Sequence, residues 1–145
     1  MNRVIIYISL IIVPLFFIGC GASKEAKQKK ELEKLATEVM EVHDRSMANH
    51  GKLFKLKKEL LKIYDGCNDT LVKAEINNAI DNIDKADKDM MDWMHNYTEP
   101  DDYLSFEEKK AYYIEQKKLI EDVEVFMNQT IDKSNKMINI YSVMQ

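Results

Sequence analysis

Leu53-Phe54-Lys55-Leu56-Lys57-Lys58-Glu59-Leu60-Leu61-Lys62-Ile63 decides the fold. Leu53, Leu56, Leu60 and Ile63 step by three, four and three residues, so one side of a helix collects all four side chains. The same alternation runs back through Asn49, Ser46, Val42, Val39, Leu35 and Leu32, a heptad-like seam. Ala36, Met40, His43, Met47, His50, Phe54 and Leu61 form a second stripe beside it. Two adjoining stripes make the broad apolar face that a bundle helix buries. Gly51 lies within this segment, where glycine costs a helix roughly 1 kcal/mol. The phase of the seam survives it, which predicts one continuous and bent helix, or two if it breaks there. Its start is expected at Lys24 or Glu31 and its end at Tyr64.

Asp65-Gly66 is a stop signal, and Asn68, Asp69 or Thr70 can cap the next helix. That second helix is predicted from Thr70 to Tyr97, with Val72, Ile76, Ala79 or Ile80, Ile83, Ala86, Met90, Trp93 or Met94, and Tyr97 inward. Lys73, Asn77, Asp81, Lys85 and Lys88 take the opposite, solvated face. Thr98-Glu99-Pro100 ends it, because the residue before proline is driven out of helical geometry. Ser105 and Glu108 match a capping box that opens a third helix, running to about Tyr141. Phe106, Tyr113, Ile120, Val123, Met127, Thr130 or Ile131, Ser134, Met137 or Ile138, and Tyr141 line it at helical spacing. No alternating run and no Asn-Gly hairpin signal appears. Short linkers make neighbours antiparallel. The expected architecture is all-α, an up-down-up bundle of three long helices, four if the first breaks at Gly51.

At the other end of the chain, Arg3 and the amino terminus precede fifteen uncharged residues, Val4 to Ile18. Gly19 and Cys20 come next. A positive start, a short apolar core and a small residue before the cut are the parts of a secretory signal. A spanning helix needs about twenty apolar residues. This run is shorter, Pro14 interrupts it, and dense charge begins at Lys24. Phe17-Ile18-Gly19-Cys20 resembles the bacterial lipobox, with Phe17 where leucine is usual. The resemblance implies removal of residues 1–19, acylation of Cys20, a polar tether over 20–30 and a helical domain over 31–145. One acyl chain binds a membrane only reversibly, and the two or three that the resemblance implies make attachment effectively permanent. The expected location is the cell envelope. No aspartate follows Cys20 directly, which favours the outer membrane.

Among 145 residues, 21 are basic and 25 acidic, interspersed along the chain, so the charge reads as solvated helix surface. No basic stripe points to nucleic acid. With Cys20 acylated, Cys67 has no intrachain partner, which excludes a disulfide framework and a cysteine-based zinc site. Gly-x-Ser-x-Gly, His-Glu-x-x-His and a Gly-rich phosphate loop are all absent, so no hydrolase is expected. His43-Asp44 is a dipeptide, and adjacent helical residues do not face each other. A di-iron bundle needs two Glu-x-x-His pairs, and haem attachment a Cys-x-x-Cys-His; neither is present. No cofactor is expected. The unusual feature is the placement of Met40, His43, Met47 and His50 on one helix, and of Met91, Met94 and His95 on the next. Thioether and imidazole donors suit copper, Cu(I) preferring sulfur. The competing reading is gap-filling methionine and hydrogen-bonded histidine in an ordinary core.

Val39-Met40-Glu41-Val42-His43-Asp44, with Met47, Leu53, Leu56-Lys57 and Leu60, resembles small lipoproteins of Bacteroidetes labelled "viral A-type inclusion protein"-like. So does Ala86-Asp87 followed by Met90-Met91-Asp92-Trp93-Met94-His95-Asn96-Tyr97. The similarity runs from about Lys34 to Tyr97. That family brings no established activity, so it implies location and fold. The expectation is a non-catalytic envelope lipoprotein whose partners are the membrane, a second copy of itself or another envelope protein. A copper-type metal-binding protein is the alternative.

Overall fold

A computed structural model describes the backbone of residues 19–142 and the side chains of residues 23–142. Residues 1–18, nearly all of the expected leader, and the side chain of Cys20 lie outside the described residues. Three helices succeed one another: α1 Gly19–Gly66, α2 Thr70–Asn96 and α3 Phe106–Ser142. Among the described residues there is no strand. The chain divides into two units, Met1–Glu31 and Leu32–Gln145. In the first, the described residues are the opening turns of α1, so the segment expected as a tether is helical. The second is the bundle.

α1 passes through Gly51 without a break. The seam keeps its phase there, and burying Leu53 and Leu56 just beyond outweighs the weak propensity of one glycine. The helix closes at Gly66, where the Cys67 N–H donates to the Tyr64 carbonyl at 3.3 Å. Asp69 caps α2: its Oδ1 accepts from the Leu71 and Val72 N–H groups at 2.8 and 3.3 Å. α2 ends at Asn96 because Tyr97 turns extended, with φ −74° and ψ 124°, ahead of Pro100. α3 opens on the expected capping box. Ser105 N–H donates to Glu108 Oε2 at 2.8 Å, and Glu108 N–H donates to Ser105 Oγ at 3.4 Å. The hydroxyl of Ser105 also donates to Glu108, and these bonds hold the Glu108 carboxyl below its ordinary range.

Side-chain pairs fix the directions. Glu38–Lys117, Arg45–Glu124 and Asn49–Asn128 join α1 to α3 at a constant separation of 79 residues, so these two helices run parallel and in step. His43–Met94, His50–Asp87 and Lys57–Asp84 join α1 to α2 in descending order, so that pair is antiparallel. Glu99–Tyr113, Lys85–Phe126 and Glu75–Tyr141 do the same for α2 and α3. The architecture is an up-down-up three-helix bundle.

The seam of α1 supplies Val39, Val42, Ser46, Leu53, Leu56, Leu60 and Ile63 to the core. From α2 come Ile76, Ala79, Ile80, Ile83, Ala86, Met90 and Trp93. α3 adds Tyr113, Ile120, Met127, Thr130, Ile131 and Ser134. The second stripe of α1 is divided: Ala36 and Met47 pack partly buried against the core, and the rest lies at its margin or beyond. Its histidines reach α2 at the edge of the bundle, while Met40, Phe54 and Leu61 stay at the surface with 39%, 73% and 43% exposure. Two partner helices cover one broad arc of α1, and these positions fall outside it. Lys73 and Lys85 lie on the face of α2 away from its buried stripe, and their ammonium groups sit over the Tyr64 and Phe126 rings at 4.7 and 4.8 Å.

Candidate functional site

At the α1–α2 edge, His43 brings a ring nitrogen of one helix against a thioether of the next. Antiparallel packing sets His43 opposite Met94. The ring is half-buried, its side chain 18% exposed. Nε2 lies 3.2 Å from Met94 Sδ, and Nδ1 lies 3.0 Å from Asp44 Oδ1. That second contact corrects the expectation that helical neighbours stay apart. The Asp44 carboxylate is short enough to curl back along the helix surface and reach the adjacent ring.

Trp93 lies behind His43, ring centroids 5.7 Å apart and tilted by 31°. From there a row of rings continues into the end of the bundle. Trp93 stacks on Tyr97 at 4.9 Å, Tyr97 approaches Tyr112 at 6.3 Å, and Tyr112 meets Tyr113 edge-on at 5.8 Å. Trp93 Nε1 and Tyr97 Oη are buried with no hydrogen-bond partner among the described residues. Burial, then the negative charge of Glu99, pushes the Tyr97 phenol up to about 12. Sequence reading assigned Trp93, Tyr97 and Tyr113 to the core but not to one another, and it missed Tyr112. The signal was available: Trp93 and Tyr97 are four apart on α2, and a short antiparallel connection returns Tyr112 and Tyr113 beside them.

The other candidate ligands do not join this contact. His50 pairs with Asp87, Nε2 to Oδ1 2.5 Å. His95 Nδ1–H donates to the Met91 carbonyl of its own helix at 2.8 Å, and its side chain is exposed. Met40 and Met91 are exposed as well, while Met47 is partly buried against the core. Of the seven residues singled out from sequence, the cross-helix contact that joins two of them is His43 with Met94. Among the described residues no group of three or more His, Cys, Asp or Glu side chains is placed to hold a metal. Cys67 is a free, half-buried thiol in the α1–α2 connection, 3.7 Å from the Asp69 carbonyl oxygen.

No protein-family model matches the chain, and neither the curated proteins nor the solved structures searched give a match.

Proposed function

We propose that this protein is a lipid-anchored lipoprotein of the bacterial envelope whose helical bundle is a non-catalytic structural or binding module. The observation that carries it is Phe17-Ile18-Gly19-Cys20 closing a short apolar leader. Such a leader places a thiol where envelope lipoproteins are acylated, and the chain beyond it is polar-faced and helical. Among the described residues no helix is long and apolar enough to cross a membrane. In this reading the acyl chains on Cys20 supply the anchorage, each buried methylene contributing about 0.8 kcal/mol.

The bundle's chemistry fits a module that holds rather than turns over. Several of its charged groups pair with one another along a helix face or between helices. Lys117 holds the Glu38 carboxyl below its usual range, and Glu124 reinforces the charge on Arg45. No motif pairs a nucleophile with a base. The resemblance of residues 34–97 to small Bacteroidetes lipoproteins supports the same reading.

Metabolic labelling with a clickable fatty acid tests it. Wild-type chain should carry the label and fractionate with membrane, and Cys20→Ala should do neither. A Cys20→Ala chain that still labels and sediments with membrane would end the proposal.

A further inference from the structure

The outer face of α1 carries an apolar stripe that repeats every seven residues: Met40, Met47, Phe54 and Leu61. Met40, Phe54 and Leu61 are exposed on it. Beside the stripe, the exposed residues fall into layers of opposite character. Glu41 and Asp44 flank Met40, Ala48 and Gly51 flank Met47, and Lys55 and Lys58 flank Phe54. The first layer is acidic, the middle one small and uncharged, and the third basic. Lys55, Lys58 and Lys62 have no ion-pair partner among the described residues, whereas Lys57 of the same segment pairs with Asp84. Nothing inside the bundle calls for glycine at position 51, since a Cβ built there meets nothing within 4 Å.

We infer that this face pairs with the same face of a second copy, the two α1 helices running antiparallel about a two-fold axis at Ala48 and Gly51. Charge selects both the partner and the direction. An antiparallel pair lays Glu41 and Asp44 against Lys55 and Lys58 of the second copy, and symmetry repeats the match at the other end. Farther out, Glu33 and Lys34 meet Lys62 and Asp65 of the second copy. A parallel pair would set each layer against itself, acid on acid and lysine on lysine, and such like-charge contacts oppose association. The apolar stripe obeys the same symmetry. Met47 meets its own copy, and Met40 meets Phe54, with methionine adapting its shape to the ring. At the axis, Ala48 and Gly51 let the two backbones approach closely. One helix face on another lies at the small end of protein interfaces, below about 1,200 Å², so the pair is reversible and separates before either bundle unfolds. Two copies anchored to one bilayer meet this way with α1 lying along its surface. The inference stands apart from lipidation: a chain that is never acylated retains the face.

The test uses the full chain with Cys20→Ala and Cys67→Ser in detergent micelles, so that neither a native thiol nor an acyl chain contributes. Ala48→Cys then puts a single thiol beside the axis. Copper–phenanthroline oxidation should link it to its own copy far faster than it links Lys136→Cys, an exposed position on α3. Gly51→Cys repeats the reading if Ala48→Cys does not fold by circular dichroism. Direction is read by mixing. Glu41→Cys should link to Lys58→Cys and scarcely to itself, because the antiparallel pair holds the two Glu41 positions about 24 Å apart along the helix axis. Charge is read in the Ala48→Cys background, with one chain carrying Glu41→Lys and Asp44→Lys and another carrying Lys55→Glu and Lys58→Glu. Each alone should lose about tenfold in linked fraction at low salt, and an equimolar mixture should recover it. Ala48→Cys linking no faster than Lys136→Cys overturns the inference. So does Glu41→Cys linking to itself as readily as to Lys58→Cys, and so do charge-reversed chains that link as well alone as mixed.

Discussion

Tyr113 donates its phenolic hydrogen to Glu99, Oη to Oε2 2.7 Å, and so ties the first turns of α3 to the residue before Pro100. One residue earlier, Tyr112 donates to the Thr98 carbonyl at 2.5 Å. The α2–α3 connection is thus clasped by two phenols, with Tyr97 packed against them.

This clasp predicts an alkaline limit. Burial first, then the hydrogen bond to Glu99, pushes the Tyr113 phenol well above its ordinary value, and Tyr97 rises to about 12. Both are free phenols near pH 10 once the chain unfolds. The folded state therefore binds more protons than the unfolded one above that pH. Its stability is intact below about pH 10 and falls as pH rises through the folded values. Urea midpoints should hold steady to about pH 9 and drop by about pH 12. In the folded protein, tyrosinate absorbance should appear later than for free tyrosine. Glu99→Gln should bring it back toward the ordinary range.

Gly51→Ala should stabilise the bundle by about 0.5–1 kcal/mol. A Cβ built there meets nothing within 4 Å, and α1 is helical on both sides. Alanine therefore gains propensity without a clash. An unchanged or lowered urea midpoint would mean that α1 bends or opens at this position.

Leu60 and Leu61 are neighbours with opposite fates. Leu60 is fully buried, and Leu61 is 43% exposed. Leu60→Ala should cost about 2–5 kcal/mol, whereas Leu61→Ala should stay within about 0.5 kcal/mol. Equal losses in chemical denaturation would place the seam in the wrong phase.

The caps carry a smaller share. Asp69 accepts two N–H groups of α2, and Ser105 accepts one of α3. Asp69→Ala and Ser105→Ala should each lower stability by about 1 kcal/mol. Each double mutant with Gly51→Ala should be close to additive, since neither cap touches that residue.

The helix order, the α1 seam and both interhelix stops could be read from spacing, because alternating three- and four-residue steps admit few other folds. Asp69 and Ser105 were legible for a similar reason: capping is local chemistry between residues two or three apart. What spacing could not decide is how wide an arc of α1 two partner helices cover. Phe54 and Leu61 therefore read as core and stand at the surface. The site was half legible. Composition drew attention to seven His and Met residues, but only the register between α1 and α2 selects His43 with Met94 and gives His50 to Asp87. The curl of Asp44 onto His43 depends on rotamers, which sequence periodicity does not report.

The central claim is that the mature chain begins at Cys20 and carries fat there. Intact-mass measurement of the protein extracted from its native membrane reads this directly. The account predicts the mass of residues 20–145 plus a diacylglyceryl-type lipid, with the added mass mapped to Cys20. A mass matching all 145 residues, with the Cys20 thiol unmodified, would contradict it.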